Sequence, residues 1–226
     1  MSDIKKQLFE QLALIAHCLA SPQRIELLDY LAQAERSVEE LSQLSDLSTA
    51  NTSRHLQVLK NNGLVDMRKQ GKSRLYRVAG EDVILLLRHL RQSAEKHLAE
   101  VDRLMLDLVD EEDPSEVIGI DETISHLKDD NFILLDVRPA KEYAQGHIQG
   151  AINIPPDTID YAIKELPHNK ALVAYCRGPY CLYSYKMVKA LRQNGVKAHR
   201  LEEGFPEWKA AGLPYEKSTE KIERIN

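Results

Sequence analysis

Apolar residues in the first half of the chain recur every three or four positions, the period of an amphipathic helix, whereas beyond about residue 117 they gather into short unbroken runs. The periodic half predicts a helix over about 3–19 and a second one in SPQRIELLDYLAQ, where Ser21 can cap and Pro22 takes the favoured first position. In SVEELSQLS, Ser37 with Glu40 three residues on matches a capping box, and Leu41 and Leu44 repeat at helical spacing. After a short break at DLS, the segment STANTSRHLQVLKNNGLV reads as a helix with Leu56 and Leu59 inward, stopped at Gly63. LVDMRKQ and SRLYRVA then alternate as two strands around Gly71 and Lys72, which predicts a hairpin with a basic tip. From Glu81 to about Asp110 the helical period runs on without a break. NFILLDV, KALVAYC and VKAHRLE are short strand candidates with helical patterns between them, as in a parallel α/β sheet covered on both faces.

Helix, helix-turn-helix and hairpin in that order make a winged helix. The chain is thus expected to hold two domains, a mainly α winged helix-turn-helix over 1–110 and an α/β domain with a parallel sheet over 117–226. The acidic segment 111–116, with Pro114, is the linker between them. A length of 226 residues suits two modest domains, and 43% apolar with 29% charged residues is the composition of a globular protein. Unbroken apolar runs such as VILLL at 83–87 are far too short to span a bilayer, and the amino terminus has neither signal nor transit character, so a cytoplasmic protein without a membrane partner is expected.

The net charge of −5 conceals an asymmetry. Between Arg54 and Arg77 seven basic residues face one acid, a local charge of +6. Such a run is usually a solvated face; here it coincides with the third helix and the hairpin, which strengthens a nucleic-acid reading. The outward face of that helix is expected to carry Ser48, Thr49, Asn51, Thr52, Arg54, His55 and Gln57, short hydrogen-bonding groups suited to base edges and phosphates. Lys60, Arg68, Lys69, Lys72 and Arg74 would contact the DNA backbone.

The segments SPQRIELLDYL and TSRHLQVLKNNGLVDMRKQGKSRLYRV resemble the ArsR/SmtB transcriptional regulators over roughly 5–105. The resemblance implies a homodimer on a two-fold symmetric operator, usually as a repressor, with the segment after Glu81 as the dimerisation helix. Many members of that family sense metals. Here EELSQLSDL has no cysteine, and although His97 and Glu100 stand in HxxE spacing with His89 nearby, the upstream half of that site falls near Ile84 and Leu86, so no metal or other cofactor is expected in this half. Cys18 stands alone on the first helix and reads as a small core hydrophobe.

The second half concentrates its chemistry in CRGPYC, between the strand candidate ALVAY and a helical pattern. Ligands bind at such strand-to-helix turns in open α/β sheets, because helix-start N–H groups converge there and stabilise an anion, and a thiolate is one. LLDVRPAKEYAQGHIQGAINIP, CRGPYC and LEEGFPEWKAAGLP together resemble a single rhodanese domain over roughly 117–217. That resemblance makes Cys176 the nucleophile, carrying a persulfide from a sulfane-sulfur donor to a thiol acceptor, within an active loop of Arg177, Gly178, Pro179, Tyr180 and Cys181. It makes Asp136, Arg138, Glu142 and His147 scaffold, and Gly204, Phe205 and Trp208 the motif that packs beside the loop.

Two departures from the pattern matter. Phosphatase relatives of this fold use a longer loop, Cys-x5-Arg, and position 182 is Leu182, which argues against phosphoryl or arsenate chemistry. At the sixth loop position, where thiosulfate-using members often carry a base, stands Cys181, leaving Arg177 as the cation inside the loop. Cys181 can resolve a Cys176 persulfide by attack, if the Cα atoms come within roughly 7 Å, or fill space at the helix start. Three readings stay open: a regulator gated by sulfane sulfur, a sulfurtransferase localised or autoregulated by its DNA-binding half, and a regulator that binds a soft metal or metalloid through the two thiols.

Overall fold

The computed structural model describes residues 3–108, 117–127, 132–167 and 169–218. The expected linker, 111–116, lies outside the described residues. The chain divides into two compact units, Met1–Leu87 and Arg88–Asn226.

The first unit holds helices α1 (Asp3–Leu19), α2 (Pro22–Gln33), α3 (Val38–Leu44) and α4 (Thr49–Asn61), a sheet of β1 (Arg36–Ser37), β2 (Val65–Gln70) and β3 (Ser73–Val78), and the start of α5 (Glu81–His97). Its core gathers Leu27, Leu28, Leu31, Leu41, Leu56, Leu59, Val65, Tyr76 and Val83. Cys18 is buried in the same cluster, and burial raises its thiol pKa, as befits an inert core residue. The capping box at Ser37 and Glu40 is present in both directions. Ser21 occupies the N-cap of α2, but its hydroxyl bonds the Gln23 side chain and caps no backbone group. The hairpin pairs Gln70 with Ser73 across Gly71, whose φ of 60° is the left-handed conformation that a tight turn requires. The two-residue strand β1, not foreseen from the sequence, adds to β3 on the side away from β2.

The long helical period after Glu81 breaks once. Helix α5 ends at His97 and α6 runs Ala99–Leu108, with an exposed Leu98 between them, so the expected single helix is two. Neither Gly nor Pro marks this break, and an uninterrupted apolar period does not report it.

In the second unit the parallel sheet runs in the order β4 (Val117–Ile118), β9 (Ala198–Leu201), β8 (Ala171–Tyr175), β5 (Phe132–Asp136), β7 (Ile152–Asn153). Alternation along the strands sends side chains to two separate cores. Leu135, Leu172 and Ala174 pack with Ile159 and Ile163 of α9 (Ile159–Glu165) and Met187, Val188 and Leu191 of α10 (Leu182–Gln193). Leu134, Val173 and Tyr175 pack with Phe205 and Trp208 of α11 (Phe205–Ala210) and with Ile120 and Ile124 of α7 (Ile120–His126). Helix α8 (Ala140–Gln145) follows β5, and a small antiparallel pair, β6 (His147–Ile148) with β10 (Tyr215–Glu216), closes one end.

Leu56 is fully buried at the centre of the first unit. Leu56→Ala is expected to lower that unit's unfolding free energy by about 3 kcal/mol, as for other cavity-forming core truncations, checked by urea denaturation.

Candidate functional site

Strand β8 delivers its chain to Cys176, and α10 begins at Leu182 with Cys181 as its N-cap residue. The six residues between strand and helix turn tightly, the Cys181 N–H donating to the Gly178 carbonyl at 3.2 Å. Cys176 and Cys181 form a disulfide, with Cα atoms 6.2 Å apart. That separation lies inside the range a disulfide requires. Cys176 is 2% exposed and shares the core with Met187 and Val188, so in this closed state its sulfur is shielded from solvent.

The loop is fastened from two sides. Arg177 Nε donates to Glu142 Oε2 at 3.0 Å and Nη2 to Glu142 Oε1 at 2.5 Å, a two-pronged bond to a carboxylate that is itself buried in α8. This commits Arg177, the cation expected for the loop, to anchoring it. On the other side stands Gly204, where a side-chain carbon would sit 2.4–2.6 Å from the backbone of Arg177 and Gly178. Any other residue there would displace the loop. The Phe205 N–H donates to the Cys176 carbonyl at 3.3 Å.

Beneath the loop, Arg138 is fully buried and bonds both oxygens of Asp136, with Nη2 also donating to the Gly146 carbonyl at 2.7 Å. Burial disfavours the Arg138 cation, and the Asp136 carboxylate more than offsets it, leaving its pKa raised. The guanidinium lies 4.4 Å from the centre of the Phe205 ring, so the sheet, the loop wall and the ion pair form one block. His147 bonds the Tyr143 carbonyl at 2.9 Å and reaches Glu216 at 3.3 Å.

In the first unit, Ser48, Thr49, Asn51, Arg54 and Gln57 of the α4 segment are exposed as expected, together with Ser53, which the sequence reading omitted. Ser48 accepts the Asn51 N–H as N-cap, and Gln57 bonds Asn61 at 2.5 Å. Thr52 is a correction: it is fully buried, and its hydroxyl donates to the Ser48 carbonyl at 3.1 Å. It lies four residues before Leu56, on the inward stripe of α4. His55 is half-buried, and burial first, then Arg24 and Arg54, lowers its pKa, so it is a neutral hydrogen-bonding group near pH 7. Lys60, Lys69, Lys72 and Arg74 are exposed, whereas Arg68 makes three hydrogen bonds to Glu35, the shortest of them 2.6 Å.

Among the described residues no three of His, Cys, Asp and Glu come together as a metal site would require, and no helix is long and apolar enough to cross a membrane.

The sequence of residues 21–67 matches the family model described as bacterial regulatory protein, arsR family, and residues 120–211 match the rhodanese-like domain. Over 94% of its length the chain is 39% identical to the HTH-type transcriptional regulator Rv0324 of Mycobacterium tuberculosis, covering 93% of that protein. The chain belongs to the arsR family of transcriptional regulators. This regulator also matches a sulfurtransferase of Allochromatium vinosum, 33% identical over 38% of the chain and 78% of that protein. Among solved structures it is similar to the homodimeric winged helix-turn-helix DNA-binding domain of Mb0332 from Mycobacterium bovis, 40% identical over 43% of this chain and 91% of that fragment, with a TM-score of 0.41.

The anchoring of the regulator's loop gives a direct test. Glu142→Gln removes the charge that Arg177 is paired with and is expected to destabilise the second unit by about 2–3 kcal/mol, below the range for fully dry pairs because Arg177 keeps some solvent contact. Urea denaturation of the variant beside the native protein measures it.

Proposed function

We propose that this regulator binds operator DNA as a homodimer and releases or tightens it according to the sulfur state of Cys176 and Cys181. The observation that carries the reading is the pair itself, two thiols within disulfide reach at the strand-to-helix turn of the rhodanese-like domain. The Cys176 thiolate attacks the terminal sulfur of a hydropolysulfide, forming a Cys176 persulfide and expelling a polysulfide one sulfur shorter, or hydrosulfide from the disulfide-length donor. The Cys181 thiolate then attacks the Cys176 sulfur, forms the disulfide and expels hydrosulfide. In total the two thiols lose two electrons and two protons, and one sulfane sulfur leaves as hydrogen sulfide.

Recognition of DNA is assigned to α4 and the hairpin. On this reading Asn51 and Gln57, exposed on α4, read base edges with Ser48, Thr49, Arg54, His55 and Lys60 alongside, while Lys69, Lys72 and Arg74 supply positive charge to phosphates and Arg68 adds to it from its pair with Glu35. A second reading, turnover as a sulfurtransferase with a thiol acceptor, is favoured by the likeness to the sulfurtransferase of Allochromatium vinosum. Resolution by Cys181 competes with such transfer, because an intramolecular thiol is present at high effective concentration.

Two measurements test the proposal. Fluorescence anisotropy on operator DNA is expected to respond to polysulfide in the native protein and not in Cys176→Ser, while mass spectrometry finds a persulfide on Cys176 in Cys181→Ser and a disulfide in the native protein. A response of Cys176→Ser equal to that of the native protein, or sustained turnover with an external thiol and no change in DNA affinity, would refute gating. Lys72→Ala with Arg74→Ala is expected to weaken binding to all sequences and to reduce the slope of log affinity against log salt by about 0.9 per lost phosphate contact.

A further inference from the structure

The second unit begins inside helix α5, and three of that helix's residues, Arg88, Arg91 and Glu95, are spaced at i, i+3 and i+7 and share one face. All three are engaged with the loop or its wall. Tyr180, the residue before Cys181, donates its phenol to Glu95 Oε1 at 2.9 Å. Arg91 Nη1 meets Glu207 Oε1 at 3.0 Å, and Arg88 pairs with Glu203. Glu207 passes the contact on, since its Oε2 accepts the N–H of Gly204 at 3.1 Å, and Gly204 lies directly against the backbone of Arg177 and Gly178. Helix α5 thus holds the loop at both ends, beside Cys181 through Tyr180 and beside Cys176 through Glu207 and Gly204. Arg91 Nη1 is also 3.8 Å from where a side-chain carbon on Gly178 would sit.

We infer that Arg91 and Glu95 are positioning residues that favour the closed, disulfide-bonded loop over the open dithiol. The inference deepens the sulfur-gating reading, since the disulfide is the end product of that chemistry, and it rests on the Tyr180–Glu95 and Arg91–Glu207 contacts. On this inference the dithiol loop opens by drawing Cys181 away from Cys176, which carries Tyr180, adjacent in the chain, off Glu95. A hydrogen bond that is made in one state and broken in the other stabilises the state that makes it. Tyr180 is 45% exposed, so the tether is worth an ordinary hydrogen bond and not a buried ionic one. Burial and the Glu95 carboxylate push the Tyr180 phenol well above its usual pKa, which keeps it a donor at any physiological pH.

The test equilibrates full-length protein in mixtures of reduced and oxidised glutathione, without DNA or any sulfur donor, and reads the disulfide fraction by alkylation and mass spectrometry. One glutathione disulfide takes two electrons and two protons from the Cys176 and Cys181 thiols and becomes two glutathione molecules. Tyr180→Phe and Glu95→Ala are each expected to lower the equilibrium constant for disulfide formation about fivefold, and Glu95→Gln, which keeps a carbonyl acceptor, to lower it less. Arg91→Met is expected to act in the same direction. Thermal melting of each variant separates this shift from general loss of structure. Values within twofold of the native protein for both Tyr180→Phe and Glu95→Ala overturn the inference, as does an effect of Tyr180→Phe with none for Glu95→Ala. A regulator whose operator binding ignored sulfur would still show the shift, so the two claims fail separately.

Discussion

Cys176 and Cys181 are held by a loop of only six residues, and the bond that fixes that loop is the pair between Arg177 and the buried carboxylate of Glu142. Removing a carboxylate from water is costly unless a cation meets it, and Arg177 does so with two parallel hydrogen bonds. That bond turns the loop's own cation toward α8 and sets where the chain runs between the thiols. Gly204 enforces the same path from the opposite side by having no side chain where the loop backbone passes. With both constraints in place, Cys176 leaves β8 and Cys181 starts α10 at a separation that one disulfide spans. The chemistry proposed for the pair is a consequence of this short-range geometry.

The same logic explains why the residues around the loop divide into scaffold and reactive parts. Asp136 and Arg138 neutralise one another in the core beneath the loop, with Phe205 stacked on the guanidinium. They support the end of β5 and the wall formed by α11. The cation that stands beside Gly178 comes from helix α5, which the rhodanese-like sequence alone does not contain. In this regulator the loop is therefore completed by a helix that precedes the rhodanese-like match.

Much of this was legible in the sequence, because periodicity and capping are local. The α4 helix with Leu56 and Leu59 inward, the capping box at Ser37, the hairpin at Gly71 and the three central parallel strands all follow from short windows. The failures have physical causes as well. Thr52 is polar, yet it satisfies its hydroxyl on the Ser48 carbonyl and so costs little to bury, which a polarity pattern cannot register. Strand β1 is two residues long and exists only because β3 has a free edge for it. The break at Leu98 carries no helix-breaking residue. Most of all, the contacts of Tyr180 with Glu95 and of Arg91 with Glu207 join residues 85 and 116 positions apart, and single charged residues on a helix give no sign of such partners.

The central claim is that the loop's sulfur state alters DNA binding, and it is tested most directly by comparing two pure forms of the native protein on the same operator, one fully reduced and one carried quantitatively to the Cys176–Cys181 disulfide. An allosteric coupling of ordinary size corresponds to a change in affinity of about 5- to 150-fold. The account predicts a difference within that range that reverses when the disulfide is reduced. Identical affinities for the two forms, each verified by mass spectrometry, would contradict it.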